Sequence, residues 1–146
     1  MPKQTEFLPT LRALVKCYQA FEASSAADIR AAGLTPPQFD IVATLGNTAG
    51  MTATELGEKT LITKGTLTGV VDRLAARGWV ERVAHESDRR SQIIRLTPAG
   101  ENLFRTVFPA HMDYLAERFA GTGAAEHARW REALHSLEKI FRKEAP

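Results

Sequence analysis

A single cysteine, Cys17, in 146 residues excludes an internal disulfide framework and suits a reducing compartment. No apolar run approaches the roughly 20 residues that span a bilayer. The opening Met1-Pro2-Lys3-Gln4-Thr5-Glu6 lacks the basic-then-apolar layout of a secretory signal. The expectation is a cytoplasmic protein without membrane association. There is no Gly-x-Ser-x-Gly elbow, P-loop or Gly-x-Gly-x-x-Gly fingerprint, and no carboxylate pair stands out, so no catalytic residue is assigned and an enzyme is not expected. His85, His111, His127 and His135 form no His-x-x-x-His or Cys-x-x-Cys spacing, so no metal ligand and no cofactor are assigned. Internal repeats and low-complexity tracts are absent as well.

What is present is uneven charge. The net charge is only +2, but between Thr63 and Leu96 seven lysines and arginines stand against four acids. The remaining residues carry twelve against thirteen. A weakly acidic body with one basic segment is the footprint of a nucleic-acid reader, although a solvated charged surface gives a similar count.

The segments around that stretch are mainly helical. Leu8 to Ala32 carries Leu11, Leu14, Val15, Tyr18 and Phe21 at helical spacing and stops at Gly33. Thr35-Pro36-Pro37-Gln38 starts a second helix, with Thr35 as N-cap and Gln38 reaching back; it buries Phe39, Ile41, Val42 and Leu45. Thr52-Ala53-Thr54-Glu55 starts a third, ending near Thr60. Leu61-Ile62 is the turn, and Thr63 caps a fourth that ends near Gly78. Trp79–Val83 and Gln92–Leu96 read as a two-stranded wing around a polar tip. Thr97-Pro98 begins a long helix to Phe119, kinked at Pro109. Gly121-Thr122-Gly123 breaks the chain before a last helix with Trp130, Leu134, Leu137, Ile140 and Phe141 on one stripe.

At about 100° per residue, Leu67, Val70, Val71 and Leu74 fall on one face of the fourth helix and pack inward. The opposite face holds Gly65, Gly69, Asp72 and Ala76, flanked by Thr66, Thr68 and Arg73. Two glycines inside a helix cost roughly 1 kcal/mol each relative to alanine. A face without side chains lets the helix axis sit deep in a major groove, where Thr66 and Thr68 offer hydroxyls to base edges and methyls to thymine. Lys64, beside the free amides of the helix start, is placed for phosphate, and Arg73 and Arg77 lie on a flank that suits phosphate better than bases. In the wing tip, Ser87-Asp88-Arg89-Arg90-Ser91, a guanidinium can enter the adjacent narrow minor groove. Asp88, repelled by phosphate, would instead accept hydrogen bonds from a neighbouring arginine and fix its direction.

Taken together, Thr35-Pro36-Pro37-Gln38-Phe39, Thr52-Ala53-Thr54-Glu55-Leu56, Val71-Asp72-Arg73-Leu74 with Gly78-Trp79-Val80, Asp88-Arg89-Arg90 and Leu96-Thr97-Pro98-Ala99-Gly100 resemble the MarR family of bacterial regulators. The resemblance covers nearly the whole chain. It implies a mainly α, winged helix-turn-helix fold with N- and C-terminal dimerisation helices. The implied division is 1–34 for the first dimerisation helix, 35–98 for the DNA-binding lobe and 99–146 for the last dimerisation helices. It also implies a homodimeric repressor, less often an activator, released from its operators by small phenolic or otherwise lipophilic anionic ligands. The second arginine of the Asp-Arg-Arg motif, here Arg90, is the one that enters the minor groove, with Asp88 as support, and the recognition helix maps to Thr63–Arg77. Lys64-Gly65-Thr66-Leu67-Thr68-Gly69 departs from the bulkier polar residues common in relatives, so no base preference carries over.

One winged helix covers little DNA; two would set recognition helices about 34 Å apart, one turn of duplex. The stripes on the first and last helices have more apolar positions than a small core requires, and they are read as shared between protomers. The resemblance puts an effector pocket between the dimer helices and the DNA-binding lobe, where Arg12 and Lys16 would attract an anion and Tyr18 would stack on an aromatic ring. Some relatives sense peroxide through a first-helix cysteine. Cys17 lies closer to the second-helix motif than those do and has only Lys16 as an adjacent cation, so a buried structural thiol is expected. Redox sensing through Cys17 and a metal response through ligands that meet only in the fold remain the alternatives.

Overall fold

The computed structural model describes residues 5–60, 62–88 and 90–142. Helix α1 (Phe7–Ala31) ends just before Gly33, whose φ of +85° is open to a residue without a Cβ. Helix α2 (Pro36–Leu45) opens on a complete capping box: the Gln38 amide donates to Thr35 Oγ1 at 3.4 Å and the Thr35 amide to Gln38 Oε1 at 3.0 Å. Helix α3 (Ala53–Thr60) has Thr52 Oγ1 accepting from the Glu55 amide at 3.2 Å. Of the turn before helix α4 (Lys64–Ala76), Leu61 lies outside the described residues, and the Ile62 amide donates to Thr60 Oγ1 at 3.4 Å.

Strands β2 (Val80–Ala84) and β3 (Gln92–Leu96) form the expected hairpin, with Trp79 just outside it. The sheet has three strands rather than two. Strand β1 (Met51–Thr52) pairs antiparallel with β3 in the order β1-β3-β2, with Met51 opposite Ile94. Two residues are too few to show an alternating pattern, so the sequence carries no strand signal there. The approach depends on Gly50, at φ +103°, where a Cβ would lie 2.6 Å from Ile93 Cγ2 and 2.7 Å from the Ile94 carbonyl oxygen.

Helix α5 (Pro98–Arg118) continues through Pro109, and helix α6 is Ala124–Arg142. The start of α5 explains the Leu-Thr-Pro-Ala-Gly motif. The Thr97 amide donates to the Trp79 carbonyl at 3.0 Å, and Thr97 Oγ1 donates to the Gly78 carbonyl and accepts from the Gly100 amide at 3.1 Å. A Cβ on Gly100 would stand 1.9 Å from that Trp79 oxygen. Glycine is required by contact, not by backbone conformation.

The chain forms two compact units, Met1–Asp113 and Tyr114–Pro146. In the first, Ile41, Val42, Leu45, Leu56, Leu67, Val71 and Leu74 form a core with Met51, Val80, Ile94, Leu96 and Phe104. Each fully buried leucine or isoleucine there contributes about 1.5–3 kcal/mol. Ile29, Leu34, Phe39 and Val107 form a second cluster, and Trp79 packs against both. In the second unit, His127 accepts or donates a hydrogen bond with Thr122 Oγ1 at 2.9 Å and lies edge-on to Trp130. No described residue of α6 is buried. Among the described residues no helix is long and apolar enough to cross a membrane.

Candidate nucleic-acid interface

Helix α4 buries Leu67, Val70, Val71 and Leu74 and turns Lys64, Gly65, Thr66, Thr68, Asp72, Arg73 and Ala76 to solvent, with Gly69 half-buried. No atom comes within 4 Å of a Cβ built on Gly65 or Gly69. The backbone of α4 is therefore bare along this face. Thr63 holds the N-cap position in extended conformation, but its hydroxyl donates to Thr66 Oγ1 at 3.2 Å instead of capping an amide. The expected side-chain cap is corrected accordingly: the Thr66 hydroxyl competes for it. The Thr66 amide donates to the Thr63 carbonyl at 3.0 Å, and the Lys64 and Gly65 amides have no side-chain cap, so the positive end of the helix dipole and the Lys64 ammonium both favour an anion there.

The hairpin lies beside this face. Arg82 Nη2 on β2 is 2.6 Å from Asp72 Oδ1 on α4. At the tip, Asp88 does take hydrogen bonds from Arg90, though from its backbone: the Arg90 amide donates to Oδ1 at 2.9 Å, Ser91 Oγ donates to Oδ2 at 3.3 Å, and the Ser91 amide donates to the Asp88 carbonyl at 3.1 Å. Asp88 thus folds the turn that carries Arg90 and leaves the Arg90 side chain exposed. Arg89 lies outside the described residues.

The charge count overstates what faces outward. Arg77 donates to the Gly33 carbonyl at 3.0 Å and stacks on Trp79 at 3.8 Å, so it ties the end of α4 to the α1–α2 turn. Arg95 Nε pairs with Glu81 at 2.8 Å, and Arg82 is held by Asp72. Within Thr63–Leu96, Lys64, Arg73 and Arg90 are the exposed cations for which no side-chain partner occurs among the described residues.

On α1, Arg12 and Lys16 come together over a shallow hollow of about 500 Å³ with Leu11, Val15 and Gln19. Tyr18, two residues on, points to another face, so the three expected effector contacts do not converge. Cys17 is exposed. The expected buried thiol is corrected: it lies on the outward side of α1 with Tyr18 and Phe21, beyond the turns that pack on α2.

One polar group was missed. His111, 4% exposed, has Nδ1 2.7 Å from Asp28 Oδ2 and Nε2 3.2 Å from Ser25 Oγ, with the Phe39 ring edge-on at 4.8 Å. It borders a cavity of about 270 Å³ with Asp28, Ile29, Phe39 and Val107. The signal was its helical spacing from Phe104 and Val107, which puts it on the inner face of α5. Asp40 on α2 senses the same imidazole: loss of water around its carboxyl raises its pKa, and His111 opposes the rise.

The sequence pattern of the MarR family matches residues 32–91. An uncharacterized HTH-type transcriptional regulator of Bacillus subtilis, YsmB, is 32% identical over 110 residues, 75% of each chain. A probable transcriptional regulator from Pseudomonas aeruginosa superposes with a TM-score of 0.73 at 30% identity, over 86% of this chain and 93% of that one. BpsR of Bordetella bronchiseptica, whose DNA binding is regulated by 6-hydroxynicotinic acid, superposes with a TM-score of 0.76 at 25% identity, over 89% and 98%.

Proposed function

Since this chain belongs to the MarR family of DNA-binding transcription regulators, we propose that it is a cytoplasmic, ligand-responsive repressor that holds pseudo-palindromic duplex DNA as a homodimer. The observation that carries this reading is the Asp72–Arg82 contact, which sets the hairpin against the bare outward face of α4. With α4 in a major groove, Gly65 and Gly69 allow close approach, Thr66 and Thr68 meet base edges, and Lys64, Thr63 and Arg73 meet backbone. Arg90 then reaches the neighbouring minor groove.

The dimer reading rests on apolar surface. Val15, Tyr18 and Phe21 on α1 and Trp130, Leu134, Ile140 and Phe141 on α6 are all exposed, Ile140 by 64% and Phe141 by 62%. Side chains of that size on two helices suit a second copy better than water. Segments 1–34 and 99–146 would form that contact around a DNA-binding lobe of 35–98.

The effector proposed is a small lipophilic or aromatic anion, by likeness to BpsR, drawn in by Arg12 and Lys16. A thermal-shift screen with aromatic acids tests it: a compound that raises the melting temperature and lowers DNA affinity supports the reading, and silence across the screen removes it. A second reading is favoured by the exposure of Cys17. Mild peroxide that abolishes DNA binding by the wild type and spares Cys17→Ser would put redox sensing in place of the ligand.

The main test is a duplex enriched from a random pool by the wild-type protein. Affinity should fall steeply with salt as lysines and arginines displace counterions, and Arg90→Ala should lose about 1–3 kcal/mol. Unchanged binding by Arg90→Ala would remove the wing from the interface.

A further inference from the structure

Thr60 and Thr106 return their hydroxyls to their own helices: Thr60 Oγ1 donates to the Leu56 carbonyl at 2.7 Å and Thr106 Oγ1 to the Asn102 carbonyl at 3.0 Å. Thr66 does not. Its Oγ1 accepts from Thr63 Oγ1 at 3.2 Å, and its own O–H has no acceptor among the described residues. Thr63 stands at the N-cap without capping an amide, so its one hydroxyl proton goes to Thr66. Thr66 is exposed in the first turn of α4, the part of a recognition helix that meets base edges. In the proposed complex it has few competitors there. Lys64 and Arg73 are given to phosphate, Asp72 is held by Arg82, and Thr68 falls on the opposite flank of the Gly65–Gly69 stripe.

We infer that the Thr63–Thr66 pair selects thymine in the operator, with Thr66 as the reading residue and Thr63 as the residue that positions it. The inference rests on the DNA-binding reading above and names the base which that reading leaves open. An oxygen that accepts one hydrogen bond becomes a stronger donor through its own hydrogen, so Thr66 favours an acceptor on the base edge. Thymine O4, guanine O6 and N7, and adenine N7 are the acceptors in a major groove, and only thymine carries a methyl group beside its acceptor. Threonine matches that combination: Oγ1–H donates to O4 while Cγ2 lies against the 5-methyl. Cytosine presents an amino donor at the same place and no methyl, so it is refused twice. Gly65, with nothing within 4 Å of an added Cβ, lets the helix come close enough for a side chain as short as threonine to reach the base.

The test removes the methyl and the acceptor one at a time, by anisotropy on the enriched duplex. Replacing thymines singly with deoxyuridine takes away only the methyl. One position in each half-site should then lower wild-type affinity about fourfold, as expected for one buried methyl. Thr66→Ser, which keeps the hydroxyl and loses Cγ2, should bind the thymine and deoxyuridine duplexes equally. Replacing that T·A pair with 5-methylcytosine·G keeps the methyl and turns the acceptor into a donor, and wild type should lose about tenfold. Thr63→Val, alike in shape and without the hydroxyl, should melt as wild type does and narrow that loss to a few-fold. A merely structural role for Thr63 would weaken both duplexes alike and leave their ratio unchanged. Silence of deoxyuridine at every thymine overturns the thymine reading, as does a deoxyuridine loss that Thr66→Ser retains in full. A wild-type ratio in Thr63→Val overturns the pairing with Thr63. In each of these outcomes the wild type still holds its duplex and the DNA reading stands. If the wild type enriches no duplex, the DNA reading falls and the thymine reading with it.

Discussion

Arg82 and Asp72 meet at 2.6 Å across the gap between the hairpin and helix α4, with Asp72 the more exposed partner. An exposed pair of this kind adds at most about 1 kcal/mol to stability, so its consequence lies in geometry and charge. Unpaired, Asp72 would present a carboxylate on the face proposed to meet phosphate. Paired, it is neutralised and links the hairpin to α4. Asp72→Asn should leave the melting temperature nearly unchanged and weaken binding to the enriched duplex, while binding to random duplex at low salt holds or strengthens. The ratio of the two affinities is the readout, and an unchanged ratio would deny the pair a positioning role.

Two glycines should answer alanine in opposite ways. At Gly65 nothing lies within 4 Å of the added methyl, so Gly65→Ala should stabilise by about 0.5–1 kcal/mol and still lower DNA affinity, because in the proposed complex the methyl would stand between α4 and the groove floor. At Gly100 the methyl meets the Trp79 carbonyl at 1.9 Å, and Gly100→Ala should destabilise by on the order of 3 kcal/mol or more. Thermal melts of both variants, with anisotropy on the first, check the pair.

Arg77 distinguishes a phosphate contact from a brace. Its guanidinium holds the Gly33 carbonyl through Nη1 and stacks on the Trp79 ring. Arg77→Ala should therefore lower affinity and stability together and leave the slope of log affinity against log salt unchanged. A slope reduced by about one unit would return Arg77 to the DNA surface.

Asp40 carries a pH dependence. Its pKa is raised in the folded protein, chiefly by loss of water, so the folded state holds this proton more tightly than the unfolded state does. The stability from that preference is fully present below the ordinary aspartate value, about 3.9, and is lost as pH rises through the raised value. Asp40→Asn should thus match wild type in melting temperature in acid and exceed it at neutral pH. Equal melting temperatures at both pH values would remove Asp40 as a contributor.

Local rules made much of this molecule legible. The Thr35–Gln38 capping box, the stop at Gly33, the span of β3 and the inner face of α4 follow from spacing and cap chemistry over a few residues, and each is found in the fold. Strand β1 was not legible because it exists only as β3's partner, and two residues hold no period. The half-buried Ser25–His111–Asp28 set was not legible because it joins residues 83 and 86 positions apart.

Among the site residues the line falls in the same place. Order along the chain was enough to place a small-sided helix before an arginine-bearing hairpin, since periodicity and turn chemistry act between near neighbours. Which arginines remain available could come only from the folded chain. Arg77 and Arg82 have sequence surroundings like those of Arg73, yet one is drawn to a carbonyl 44 positions away and the other to a carboxylate ten positions away. Hydrogen bonds and ion pairs act over a few ångströms of space, and only packing brings such partners within that range.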